Sequence, residues 1–130
     1  MFVYEPIFQN LPGNPAWEGS FYERLVEDAF WDKDEFWKLH LALVKAARAP
    51  RSLETMDREL AHAVAKIQSR VLGLVAAHYN PNDMFTISNV TPDELHAFVE
   101  RFEHAIIGVF SGELLPESSY ELTNPLVSDA

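Results

Sequence analysis

The sequence predicts an all-α fold: about four amphipathic helices in a bundle, with a proline-containing N-terminal arm and an extended C-terminal tail. Three observations carry this. Apolar residues recur every three or four positions over long stretches, Ser, Thr or Asp caps open those stretches, and no convincing alternating run of the strand type occurs. A length of 130 residues favours a single domain able to bury its own core. The expected organisation is an irregular arm over 1–19, a helical core over 20–112 and a tail over 113–130.

The arm carries Phe2, Tyr4, Ile7, Phe8 and Leu11, interrupted by Pro6, Pro12 and Pro15. Proline at that density argues against a helix or a central strand, while the apolar content demands burial, so an irregular segment lying on the body is expected. Ser20 followed by Glu23 has the spacing of a capping box and opens the first long helix, with Phe21, Leu25 and Ala29 on its main face and Tyr22 and Val26 beside them. Asp32 with Glu35 opens a second helix that runs to about Ala49. Its apolar stripe, Phe36, Trp37, Leu39, His40, Leu41, Leu43, Val44 and Ala47, covers more than half the circumference, the pattern of a central helix packed on two sides. A third helix is expected from about Ser52 to Tyr79, with a narrow seam of Leu53, Met56, Leu60, Val64, Ile67, Val71, Leu74 and His78. Asn80-Pro81 stops it, with Asn80 as a left-handed cap. Met84, Phe85 and Ile87 in the following connection should tuck onto the core. Thr91-Pro92-Asp93-Glu94 is the strongest helix start in the chain. Leu95, Phe98, Val99, Phe102, Ile106, Val109 and Phe110 then form one face, and Gly112 closes the helix. In the tail, Leu114, Leu115, Tyr120, Leu122, Leu126 and Val127 suggest that part of it docks.

Composition narrows the function classes. There is no cysteine, which removes disulfides, thiolate metal sites and cysteine nucleophiles. A net charge of −10 argues against direct binding to nucleic acid or to an anionic membrane. The apolar run Val71–Ala77 is far too short to span a bilayer, and Met1–Phe8, with Glu5 and no basic run, does not read as a secretory signal. A cytoplasmic protein is the expectation. Charge is segregated: residues 1–36 carry −6, residues 37–79 carry +4 and residues 80–130 carry −8. The basic outer side of the third helix, Arg58, Lys66 and Arg70, reads as solvated or as lying beside acidic neighbours.

The acidic stretch around the first two long helices interleaves Glu18, Glu23, Glu27, Asp28, Asp32, Asp34 and Glu35 with Trp17, Tyr22, Phe30 and Trp31. Glu23, Asp32 and Glu35 have capping work. The remainder, Trp17, Glu18, Glu27, Asp28, Trp31 and Asp34, has the make-up of a surface for a basic protein partner, with aromatics as anchors and carboxylates for steering. The other reading, aromatics in the core and acids as ordinary surface, stays open at this level. A second candidate face is the polar side of the last helix, with Glu100, Glu103 and Ile107.

No catalytic constellation is found: no glycine-rich phosphate loop, no nucleophile with an identifiable base, and no cofactor motif. His96, Glu100 and His104 share one helix face at four-residue spacing, but three ligands from one exposed helix leave an ion open to water. Glu59-x-x-His62 matches half of a di-iron motif, yet His62 lies opposite the apolar seam. His40 and His78 lie on apolar stripes and read as hydrogen-bonded core or interface residues. No metal, no cofactor and no enzyme are therefore expected.

Gly19-Ser20-Phe21, Trp31 with its acidic neighbours, Glu35-Phe36-Trp37-Lys38-Leu39, Asn80-Pro81-Asn82-Asp83-Met84-Phe85, Glu100-Arg101-Phe102, Phe110-x-Gly112-Glu113 and Asn124-Pro125-Leu126 together resemble an all-helical immunity-protein family of bacterial polymorphic-toxin and contact-dependent inhibition systems, the forty-first of that numbered series. The resemblance covers most of the chain through caps, aromatics and a turn. It implies a cytoplasmic protein that binds and neutralises a cognate toxin domain, and it carries over no catalytic residues. The acidic charge would suit a toxin with a basic surface. The alternatives are a helical adaptor or regulator without a toxin partner, and a metal-dependent enzyme using His96, Glu100 and His104. Arm and tail could equally serve a homo-oligomer.

Overall fold

The computed structural model describes residues 4–49 and 56–128. Five α-helices follow one another: α1 Glu5–Phe8, α2 Phe21–Asp28, α3 Lys33–Arg48, α4 Arg58–Tyr79 and α5 Pro92–Ser111, with a 3-10 turn at Glu117–Ser119. The all-α expectation holds, and four of the five are the helices expected from the periodicity.

The local chemistry explains each boundary. Ser20, Asp32, Asp57 and Thr91 all accept a backbone N–H three residues ahead through their side chains. Only Thr91 and Glu94 form the reciprocal box. Glu23 reaches back one residue further, to the Gly19 N–H at 2.9 Å, and Glu35 turns instead to Lys38 at 2.7 Å. Two helices end in the left-handed region, α5 at Gly112 and α2 at Ala29, whose φ is +50°. Glycine adopts that conformation freely, whereas alanine holds it at a cost.

The arm departs from the irregular segment expected. Pro6 sits in the first turn of the short helix α1, where a missing N–H costs no hydrogen bond, and Ile7 is fully buried. A run of turns then carries the chain to α2, and buried Asn10 ties the two ends together, donating to the Pro6 carbonyl and accepting from the Tyr22 N–H at 2.8 Å. The expected helix start at Ser52 lies outside the described residues. Met56 and Asp57 are not helical, because the Asp57 carboxylate caps the Leu60 N–H and so defines the first turn of α4. Asn80 is extended rather than left-handed. Its side chain and carbonyl accept the Asn82 and Asp83 amides, so it opens a turn instead of capping the helix.

The helix α3 is central: it packs chiefly on α5 and also touches α1 and α2. The helix α4 closes the other side against α5, α1 and α2. Between them lies an aromatic core of Phe21, Trp31, Phe36, Trp37, Phe98 and Phe102, largely in edge-to-face or tilted contact at 4.8–6.4 Å between ring centres. A lone parallel bridge joins the α2–α3 elbow to the α4–α5 connection, with the Ser88 N–H on the Ala29 carbonyl and the Trp31 N–H on the Ser88 carbonyl. In that connection Ile87 is buried as expected. Met84 is 95% exposed, contrary to expectation, because the Asp83 turn directs the chain outward before Ile87 returns. Phe110, placed on the inner face by periodicity, is also exposed: it lies in the last turn of α5, beyond the body of the bundle.

Candidate functional site

Two places concentrate polar chemistry. The first is the acidic surface around α2 and the start of α3. Glu18, Glu27, Asp28 and Asp34 are exposed, and none of their carboxylates makes an ion pair or hydrogen bond among the described residues. The nearby cations are already engaged. Arg24 bonds Asp32 at 2.8 Å and lies over the Phe30 ring, while Lys33 bonds Glu94 at 3.0 Å. Glu94 is held below the usual carboxylate range, first by the Thr91 backbone N–H it accepts and then by Lys33. The negative potential of the four free carboxylates is therefore left facing solvent.

The aromatics expected beside them divide. Trp17 is half-buried, edge-on to Tyr22 at 5.6 Å, with part of its ring accessible. Trp31 must be withdrawn from the candidate surface: it is 0% exposed, wedged between Phe21, Phe36 and Phe98. It stands in the non-helical elbow, where periodicity assigns no face, and the bridge to Ser88 turns it inward. Its indole N–H has no partner among the described residues. On α5, Glu100 and Ile107 are exposed and Glu103 is half-buried, a separate face from the α2–α3 rim.

The second place went unread in the sequence. Arg101, Glu117, Asn124 and His40 form a buried polar cluster where the tail crosses α3 and α5. Arg101 pairs with Glu117 through Nη2, and its guanidinium stacks on the Tyr120 ring at 3.6 Å. The other Glu117 oxygen accepts the Asn124 N–H at 2.7 Å. Asn124 donates to the Trp37 carbonyl at 3.0 Å and to His40 Nδ1 at 2.8 Å. Arg101 Nη2 approaches His40 Nε2 at 3.2 Å. Both ring nitrogens of His40 thus face N–H donors, of which the neutral ring can accept only one, and a second ring proton would add another without an acceptor. Burial, followed by the Arg101 charge, pushes the His40 pKa down to about 3. Part of the tail docks through apolar residues as expected, with Leu122 packed on the core and Leu114 against Gly108, whereas Leu115 and Leu126 are exposed and polar residues supply the buried hold.

This cluster has the ingredients of acid–base chemistry but little room for it. The space beside it, bounded by His40, Arg101, His104 and Tyr120, is about 10 Å³, enough for one water molecule. What the arrangement does is clamp the tail. His104 completes the rim, with Nδ1 2.7 Å from the Tyr120 hydroxyl. His78 is likewise committed, accepting the Ile87 N–H at 2.9 Å. His62 and His96 are exposed. Among the described residues no group of three or more His, Asp or Glu is placed to hold a metal ion, and no helix is long and apolar enough to cross a membrane.

One signal could have exposed the clamp. Arg101, Ala105 and Gly108 fall at i, i+4 and i+7 on one flank of α5, where small residues invite a close neighbour. A Cβ on Gly108 would collide with the Leu114 side chain. In comparison with known proteins, no family model, no curated protein and no solved structure matches this chain.

Proposed function

We propose that this chain is a stoichiometric binding protein that acts through the acidic rim of α2 and α3 on a partner with a basic surface. On the resemblance of its caps and aromatics to immunity proteins, that partner is a cognate toxin domain, neutralised in the cytoplasm of the producing cell. The observation that carries the reading is the unpaired state of Glu18, Glu27, Asp28 and Asp34, with Arg24 and Lys33 both drawn away to other partners. Carboxylates left in water contribute little to folding, but they steer a basic partner and fix its register. Trp17 supplies an accessible aromatic edge beside them. Glu100, Glu103 and Ile107 on α5 offer a second contact face.

Co-purification with the product of the adjacent upstream gene tests the partnership, and stopped-flow association tests the surface. Glu27→Lys with Asp28→Lys should lower the association rate roughly tenfold at low salt and flatten its salt dependence. An unchanged rate in the purified pair removes the rim from the interface. Failure to capture the neighbouring gene product removes the toxin partner.

A further inference from the structure

On the opposite chemical sign, a groove of about 250 Å³ lies where the arm and α2 meet α4. Its apolar wall is Leu11, Pro12 and Ile67, and its polar groups are Tyr22, Lys66 and Arg70. Lys66 and Arg70 stand one turn apart on α4, so both cations reach the same side. Neither has an acidic partner among the described residues, although the chain carries −10 overall. Tyr22 is 93% buried, since only 7% is exposed, and its hydroxyl makes no hydrogen bond among the described residues. Tyr22 is thus a lining residue of the groove whose phenol is not used within the described residues. Asn10 also borders the space, but both ends of its side chain are occupied.

Two unpaired cations and an unused phenol beside an apolar wall make a set that an oxyanion would satisfy. A carboxylate or phosphate takes bidentate bonds from a guanidinium and single bonds from an ammonium and a hydroxyl. The volume is slightly below the ~300 Å³ at which ligand pockets begin, so it suits one small molecule rather than a chain segment. We propose that this groove binds a small organic oxyanion, its carboxylate or phosphate held by Lys66, Arg70 and the Tyr22 hydroxyl and its apolar body against Leu11, Pro12 and Ile67. The site uses none of the rim's carboxylates and needs no toxin partner, although Tyr22 packs edge-on against Trp17.

Titration of the ¹⁵N-labelled full chain with phenyl phosphate, followed by amide shifts, tests this. Inorganic phosphate and benzyl alcohol supply the head and the body alone. The expected result is saturable movement of the Leu11, Tyr22, Ile67 and Arg70 amides with Kd of about 1 mM or below, and at least about tenfold weaker binding of either half. Lys66→Gln with Arg70→Gln, both on the helix surface, should weaken phenyl phosphate about tenfold, and Tyr22→Phe about threefold, with otherwise unchanged spectra. Absence of saturation, equal affinity in the double variant, or binding of inorganic phosphate as tight as phenyl phosphate would each overturn the assignment.

Discussion

The tail clamp and the acidic rim treat charge in opposite ways. At the clamp, Arg101 and Glu117 are withdrawn from water, and most of their polar atoms meet partners within the chain. At the rim, the carboxylates of Glu18, Glu27, Asp28 and Asp34 keep their water and meet none among the described residues. The difference teaches where each kind of charge can act. A buried ion must be satisfied internally or the fold suffers, so its energy goes into structure. A solvated ion costs the fold little and stays available to something outside.

Breaking the clamp should produce the largest effect. Glu117→Ala leaves Arg101 buried and uncompensated, and urea unfolding should register a loss of about 3–5 kcal/mol. A loss below about 1 kcal/mol would mean that water replaces the carboxylate freely and that the tail is only loosely held.

Acid should act on the clamp next. His40 is depressed to about 3 in the folded chain against about 6.5 unfolded, so between those values the unfolded state binds the extra proton. Its contribution to stability is complete above pH 6.5 and declines as pH falls towards 3, by about 1.4 kcal/mol per unit inside that window. Carboxylates also titrate there, so the comparison is with His40→Gln, whose stability should fall less steeply from pH 6.5 to 4.5. Parallel slopes would show that the ring gains water when the pH drops.

The elbow beside the rim offers a gain. Ala29→Gly relieves a left-handed alanine and should raise stability by about 0.5–1 kcal/mol, read as a higher urea midpoint at constant slope. The rim itself should respond least. Glu27→Lys with Asp28→Lys should change stability by less than about 0.5 kcal/mol, which separates any loss of partner binding from a loss of fold.

The helices and their caps were legible because their causes are local. Thr91 and Glu94 lie three residues apart, and the periodic stripes of α3 and α5 report which face turns inward. What the sequence hid depends on distant partners. Trp31 is buried because Ser88, far along the chain, pulls the elbow's backbone inward, and nothing near Trp31 encodes that. His40 was readable as a hydrogen-bonded core histidine, but not its attachment to Asn124. Nothing beside Arg101 in the sequence marks it as buried; only its alignment with Ala105 and Gly108 hints at it. The exposed carboxylates of the rim were legible as charges, while their lack of partners required knowing where Arg24 and Lys33 point. The groove on α4 needed the arm, whose turns have no periodicity to read.

The bond between His40 and Asn124 joins positions 84 residues apart. During synthesis, α3 therefore emerges long before the group that seals it, at ribosomal speeds of roughly 5–20 residues per second. For several seconds its imidazole edge and the Trp37 carbonyl wait open, and the nascent chain cannot reach its final state until the distal asparagine is made. Damage or cleavage after α5 would reopen that gap in the finished molecule, stripping the His40 ring and the Trp37 carbonyl of the same distal partner.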